Sequence, residues 1–100
     1  MENAVAQGER IRSGLARELA SVTGVVEVRG MGLMIGVELD RPCGDLVKQA
    51  LAAGVLVNVT QDKVIRLLPP LILSAAEADQ IVERLAPVIR TFLAPAARAA

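Results

Sequence analysis

Arg66 is the residue of this sequence with the clearest chemical potential. It stands inside VIRLL at 64–68, just before Pro69-Pro70, in the most apolar stretch of the chain. Alternation places it on one face with Val64 and Leu68. A buried guanidinium without an anion is strongly unfavourable. Arg66 therefore reads in one of two ways. Either it lies on a solvated sheet face or edge and snorkels past its neighbours, or it is a fork that grips a ligand carboxylate with two parallel hydrogen bonds. Arginine suits that geometry and lysine does not.

The other candidates are weaker. Asn58, in VLVNV at 55–59, could orient a ligand, although a structural role beside a turn fits it better. Cys43 opens a helical pattern, where a thiol pKa can fall. No base is near it in sequence, which favours a small packing residue. Lys48 is flanked by Asp45 and Gln49, and Lys63 lies in a polar turn. Both read as solvated ammonium groups, not as Schiff-base lysines in apolar pockets. Gly30-Met31-Gly32 has the look of a phosphate loop, but a strand follows it, so no helix N-terminus can hold the phosphate.

Composition narrows the classes further. Lys+Arg and Asp+Glu are 11 each, so no basic field draws nucleic acid. Phe92 is the only aromatic, which removes base-stacking platforms. The absence of His removes His-dependent zinc sites and His-based triads. A single Cys cannot form an internal disulfide and points to the cytosol. No apolar run reaches membrane-spanning length, and no signal-peptide pattern is present. Hydrophobic types make up 53% of the 100 residues, mostly Ala, Val and Leu, so the chain is apolar yet short of bulk.

These residues need elements to position them. Apolar residues spaced by three and four predict a helix over 3–20, with Ala4, Gly8, Ile11, Leu15, Leu19 and Val22 on one stripe. VVEVR at 25–29 and LMIGVEL at 33–39 alternate around GMG and predict a hairpin. In the first run Val26 and Val28 share a face; in the second Leu33, Ile35, Val37 and Leu39 do. Asp40 to Gly44 is a turn. A short helix follows over 43–53, with Leu46, Val47, Ala50 and Leu51 inward and Gly54 as its stop. Strands are expected at 55–59 and 64–68 around the polar turn TQDK. Ser74-Ala75-Ala76-Glu77 fits a capping box. The helix it opens carries Ala78, Ile81, Val82, Leu85, Val88, Ile89 and Phe92 inward, with a kink at Pro87. The order is α-β-β-α-β-β-α: an α+β fold with a small, mostly antiparallel sheet and helices on one face.

Four segments together resemble a known family. VRGMGLMIGVEL at 28–39, GVLVNVT at 54–60, VIRLLPPL at 64–71 and AEADQIVERL at 76–85 are similar to the C-terminal part of class-III pyridoxal-phosphate aminotransferases. NVT at 58–60 before the R-LLPP strand tilts the likeness towards the branch acting on acetylornithine. The resemblance implies that residues 1–94 are the small C-terminal domain of a fold-type I enzyme, with 95–100 a disordered tail. It implies that Arg66 binds the α-carboxylate of the amino-acid substrate and of 2-oxoglutarate. It also implies that the Schiff-base lysine, the acidic partner of the pyridinium nitrogen and the phosphate loop lie upstream, in a large domain. The cofactor would be pyridoxal phosphate, bound by the parent homodimer and not by this piece alone. The expected partners are that large domain, a second subunit, and amino-acid and 2-oxo-acid substrates, with no nucleic acid or membrane. Part of the apolar surface, especially on the first helix, would then be covered by the rest of the enzyme. The alternative is a stand-alone amino-acid-binding or dimerisation module.

Overall fold

The computed structural model describes residues 2–31, 34–67 and 74–94. The first helix, α1, spans Glu2–Glu18. Its stripe places Gly8, Ile11 and Leu15 in the interior, with charged side chains between them. Leu19 extends the last turn by donating its N–H to the Leu15 carbonyl. The chain then reverses through Gly24, whose φ of 107° is open to glycine at little cost.

Four strands form one antiparallel sheet: β1 (Val25–Met31), β2 (Met34–Leu39), β3 (Asn58–Thr60) and β4 (Val64–Leu67). Their spatial order is β1-β2-β4-β3. Gly32 of the expected turn and Leu33 of the expected strand lie outside the described residues, as do Leu68, Pro69-Pro70 and the tail 95–100. On β2, Ile35, Val37 and Leu39 face the core. Val28 and Ile65 both pair with Val37, and Leu67 pairs with Ile35.

The expected pairing of Val26 with Val28 on one face is overturned. The register shifts between Val25 and Glu27, so β1 bulges there. An extra residue in one strand resets the alternation. Val25 and Val28 therefore both pack on the core, and Val26 is 59% exposed. The run at 55–59 is also shorter as a strand. Val55 donates its N–H to the Ala50 carbonyl at 2.8 Å, which ties it to the preceding helix, and only Asn58–Thr60 joins the ladder. Val55 and Val57 still bury their side chains.

The second helix, α2, spans Leu46–Ala52 and so starts later than expected. The Cys43 N–H donates to the Asp62 carbonyl at 2.7 Å, and the Leu46 N–H to the Cys43 carbonyl. Residues 43–45 are thus tethered to the β3–β4 turn. Leu46 and Ala50 face the core, but Leu51, expected inward, is 60% exposed. Five residues from Leu46, it falls well off the narrow stripe of so short a helix.

The third helix, α3, spans Ala75–Leu93 and opens with the expected capping box. The Glu77 N–H donates to Ser74 Oγ, and the Ser74 N–H donates to Glu77 Oε1. The helix runs unbroken through Pro87. Pro87 has no N–H for the Glu83 carbonyl; both residues are exposed, so water can satisfy that carbonyl. Helices α1 and α3 lie against each other, and the buried residues of all three helices join those of the sheet in one core.

That arrangement corrects the expectation for the first helix. Ile11, Leu15 and Leu19 are buried by this chain itself. Among the described residues, the exposed large apolar side chains are Val5, on α1, and Val26, Leu51 and Leu56 elsewhere.

Candidate functional site

Register on the outer face of the sheet sets the site. Gly36 pairs with Arg29 on one side and with Arg66 on the other, and Arg66 pairs with Asn58. A single row across the sheet thus reads Arg29, Gly36, Arg66, Asn58. With strands about 4.8 Å apart, the two arginine backbones are about 10 Å from each other. Between them lies the side-chain-free Gly36.

The two arginines have different electrostatic surroundings. Arg29 Nη1 donates to Glu27 Oε1 at 2.7 Å and to Glu38 Oε1 at 2.9 Å. These carboxylates hold its pKa above the usual arginine value, Glu38 contributing most. The Arg66 side chain makes no hydrogen bond or ion pair with any described residue. Its Nε is buried from solvent and has no acceptor. Leaving a buried donor unpaired costs about 1–3 kcal/mol, and more for a charged group. Arg66 therefore presents a guanidinium whose buried Nε no described protein group satisfies.

A cavity of about 180 Å³ opens beside it, lined by Arg29, Met34, Gly36, Thr60, Gln61, Val64 and Arg66. Thr60 ends β3, and Gln61 sits in the turn that follows, with a φ of 53°. The turn thus brings a hydroxyl and an amide to the rim of an arginine site. A larger groove of about 610 Å³ runs between α1 and α3. Two of its arginines are already paired, Arg10 with Asp79 and Arg90 with Glu18. Its third arginine, Arg17, has no ion pair with a described residue but is exposed, whereas Arg66 in the smaller cavity has a buried nitrogen without an acceptor, so the smaller cavity is the better candidate.

The remaining sequence candidates separate from this site. Asn58 shares the row with Arg66 but is exposed and does not line the cavity. Cys43 is fully buried, and burial followed by the nearby Asp62 pushes its thiol pKa up. It is a packing residue, and no helix start activates it. Lys48 and Lys63 are both exposed. Residues 30 and 31 continue β1, so no helix N-terminus follows them. Sequence reasoning missed Arg29, Gly36, Thr60 and Gln61 as companions of Arg66; the lone glycine inside the alternating run 33–39 was the available signal.

The class-III aminotransferase family model matches residues 1–89. The chain belongs to the class-III aminotransferases. Acetylornithine aminotransferase 1 of Bordetella bronchiseptica is 58% identical over 94 residues, which is 94% of this chain and 24% of that protein. The N-acetylornithine aminotransferase structure from Stenotrophomonas maltophilia superposes with a TM-score of 0.79 at 29% identity, covering 91% of this chain and 26% of that one. The ornithine aminotransferase of Toxoplasma gondii, solved with partial occupancy of pyridoxal phosphate at its active site, gives 0.80 at 30% identity, covering 89% and 22%. This class-III chain thus spans about a quarter of the length of the curated relatives it matches. No helix among its described residues is long and apolar enough to cross a membrane.

Proposed function

We propose that this chain is the small C-terminal domain of an acetylornithine aminotransferase and supplies its substrate-carboxylate fork. The observation that carries the reading is the buried, acceptor-free Nε of Arg66 beside an open cavity. The whole enzyme would move the δ-amino group of N2-acetyl-L-ornithine to 2-oxoglutarate. The products are N-acetylglutamate semialdehyde and glutamate, which places the reaction in arginine biosynthesis. Both amino-group donor and acceptor carry an α-carboxylate, the group that a guanidinium fork binds. The relatives' names support the substrate class.

Pyridoxal phosphate is the cofactor of that reading, but the described residues do not fit it. Both lysines are exposed, and neither lies in the Arg66 cavity. Cofactor attachment and phosphate binding therefore fall to a larger domain, in a cytoplasmic enzyme assembled as a homodimer. The role of this chain is to bind and orient the substrate. Mixed alone with pyridoxal phosphate, it is expected to show no lysine-dependent absorbance band and no turnover.

The test of the fork is kinetic, in the full-length enzyme. Losing charge-assisted bidentate contacts weakens binding by about 1.5–3 kcal/mol, or roughly 10–150-fold. Arg66→Lys should raise KM for acetylornithine and for 2-oxoglutarate within that range, and Arg66→Ala should exceed it. Unchanged kinetics for both substrates would remove Arg66 from the site.

A further inference from the structure

Gly36 is buried in the middle of β2, where a glycine weakens a strand by leaving nothing to pack. The backbone does not demand it. Its φ lies outside the left-handed region, which among the described glycines holds Gly24 and Gly54. Space does not demand it either. A Cβ built there would lie 3.6 Å from Val64 Cγ1, 3.8 Å from Arg29 Cγ and 3.9 Å from Arg29 Nε, all ordinary contacts. The fold could therefore take a methyl group at this position without displacing a neighbour. What the methyl would take up is space in the cavity that Gly36 lines together with Arg29 and Arg66.

From this we infer that Gly36 is a specificity-determining residue. Its missing side chain keeps open the space in which the carboxylate held by Arg66 rests. The inference builds on the fork reading of Arg66 and adds a steric partner to it. A guanidinium can reach a carboxylate bidentately only if the oxygens come into its plane. On a sheet, the neighbouring strand's side chain in the same row stands beside that approach. In this row the neighbour is Gly36 on one side and Asn58 on the other; of the two, Gly36 lines the cavity and Asn58 does not.

The experiment is a size series at position 36 in the full-length holoenzyme, with Arg66→Lys beside it. Gly36→Ala should fold with an undiminished Tm and raise KM for both carboxylate substrates about tenfold, with kcat changed far less, because one methylene of misfit in a tight site has that order of effect. Gly36→Val should lose saturation altogether. Turnover of an amine lacking the α-carboxylate should be indifferent to Gly36→Ala. If Gly36→Ala folds and keeps its KM values while Arg66→Lys loses them, the steric role is wrong and the fork stands. If Arg66→Lys is also unimpaired, the fork itself is wrong, and the inference falls with it. A Gly36→Ala enzyme that fails to fold, or that loses kcat equally with the amine, also overturns it, since the fold is held to accept the methyl group.

Discussion

Gly14 of α1 and Val82 of α3 meet where the two helices cross: a Cβ on Gly14 would lie 2.9 Å from Val82 Cγ2 and 3.2 Å from Cγ1. Val82 is buried, and its branched side chain has little rotamer freedom in a helix. Alanine at 14 gains about 1 kcal/mol of helix propensity. Overpacking costs typically 1–3 kcal/mol. Gly14→Ala is therefore expected to be neutral to about 2 kcal/mol destabilising in chemical denaturation. Gly14→Ala with Val82→Ala should lose less than the sum of the two single changes. Additive losses would show that the helices are not in close contact there.

Acid should weaken the protein through carboxylates held by exposed arginines. Hydrogen bonds from Arg12, then Ser13, lower the Glu9 pKa from 4.5 to about 2. The Arg10 fork, with bonds of 2.7 and 2.9 Å, lowers that of Asp79. A pKa below its unfolded value gives stability that is present above the unfolded value. That stability is lost as pH falls through the folded one. For Glu9 the window runs from 4.5 down to about 2. Thermal melts across this range should fall in Tm, and Glu9→Gln with Asp79→Asn should flatten the slope. High salt should flatten it too, because these pairs are exposed.

Cys43 should resist thiol reagents in the folded protein. It is fully buried, with its thiol pKa pushed up by burial and by Asp62. Modification should follow unfolding, at a rate that rises with denaturant. Since the unfolded thiol ionises first, its contribution to stability is complete below its ordinary pKa of 9.0 and is lost as pH rises beyond that towards the folded value. Cys43→Ser should remove this alkaline decline. Rapid labelling of the native state would contradict the burial.

Ser74→Ala should cost about 0.5–2 kcal/mol, the usual worth of an N-cap side chain. It frees the Glu77 N–H and leaves the Glu77 carboxylate holding half a capping box. Ser74→Asp should recover most of the loss, which urea melts can read directly.

Local signals were readable from the chain alone. The capping box involves neighbours three residues apart, and the stripes of α1 and α3 are periodic in sequence. The unread parts depend on distant partners. The Val26 bulge exists only as a mismatch with β2. The late start of α2 follows from a hydrogen bond between Cys43 and Asp62, nineteen positions on. The same division runs through the site. Arg66 stands out as a cation in an apolar run, but its companions are set by register across β1, β2 and β4. Alternation says which face a residue takes; it does not say who stands beside it.

The contact between α1 and α3 also has a temporal side. The Arg10–Asp79 and Glu18–Arg90 pairs join residues 69 and 72 positions apart. During synthesis α1 leaves the ribosome before α3, and the intervening chain is made between them. At roughly 5–20 residues per second, that delay is several seconds. Throughout it, β1 and β2 can already pack against α1, but the side of α1 that meets α3 stays open to chaperones, and the domain closes only when its last helix arrives.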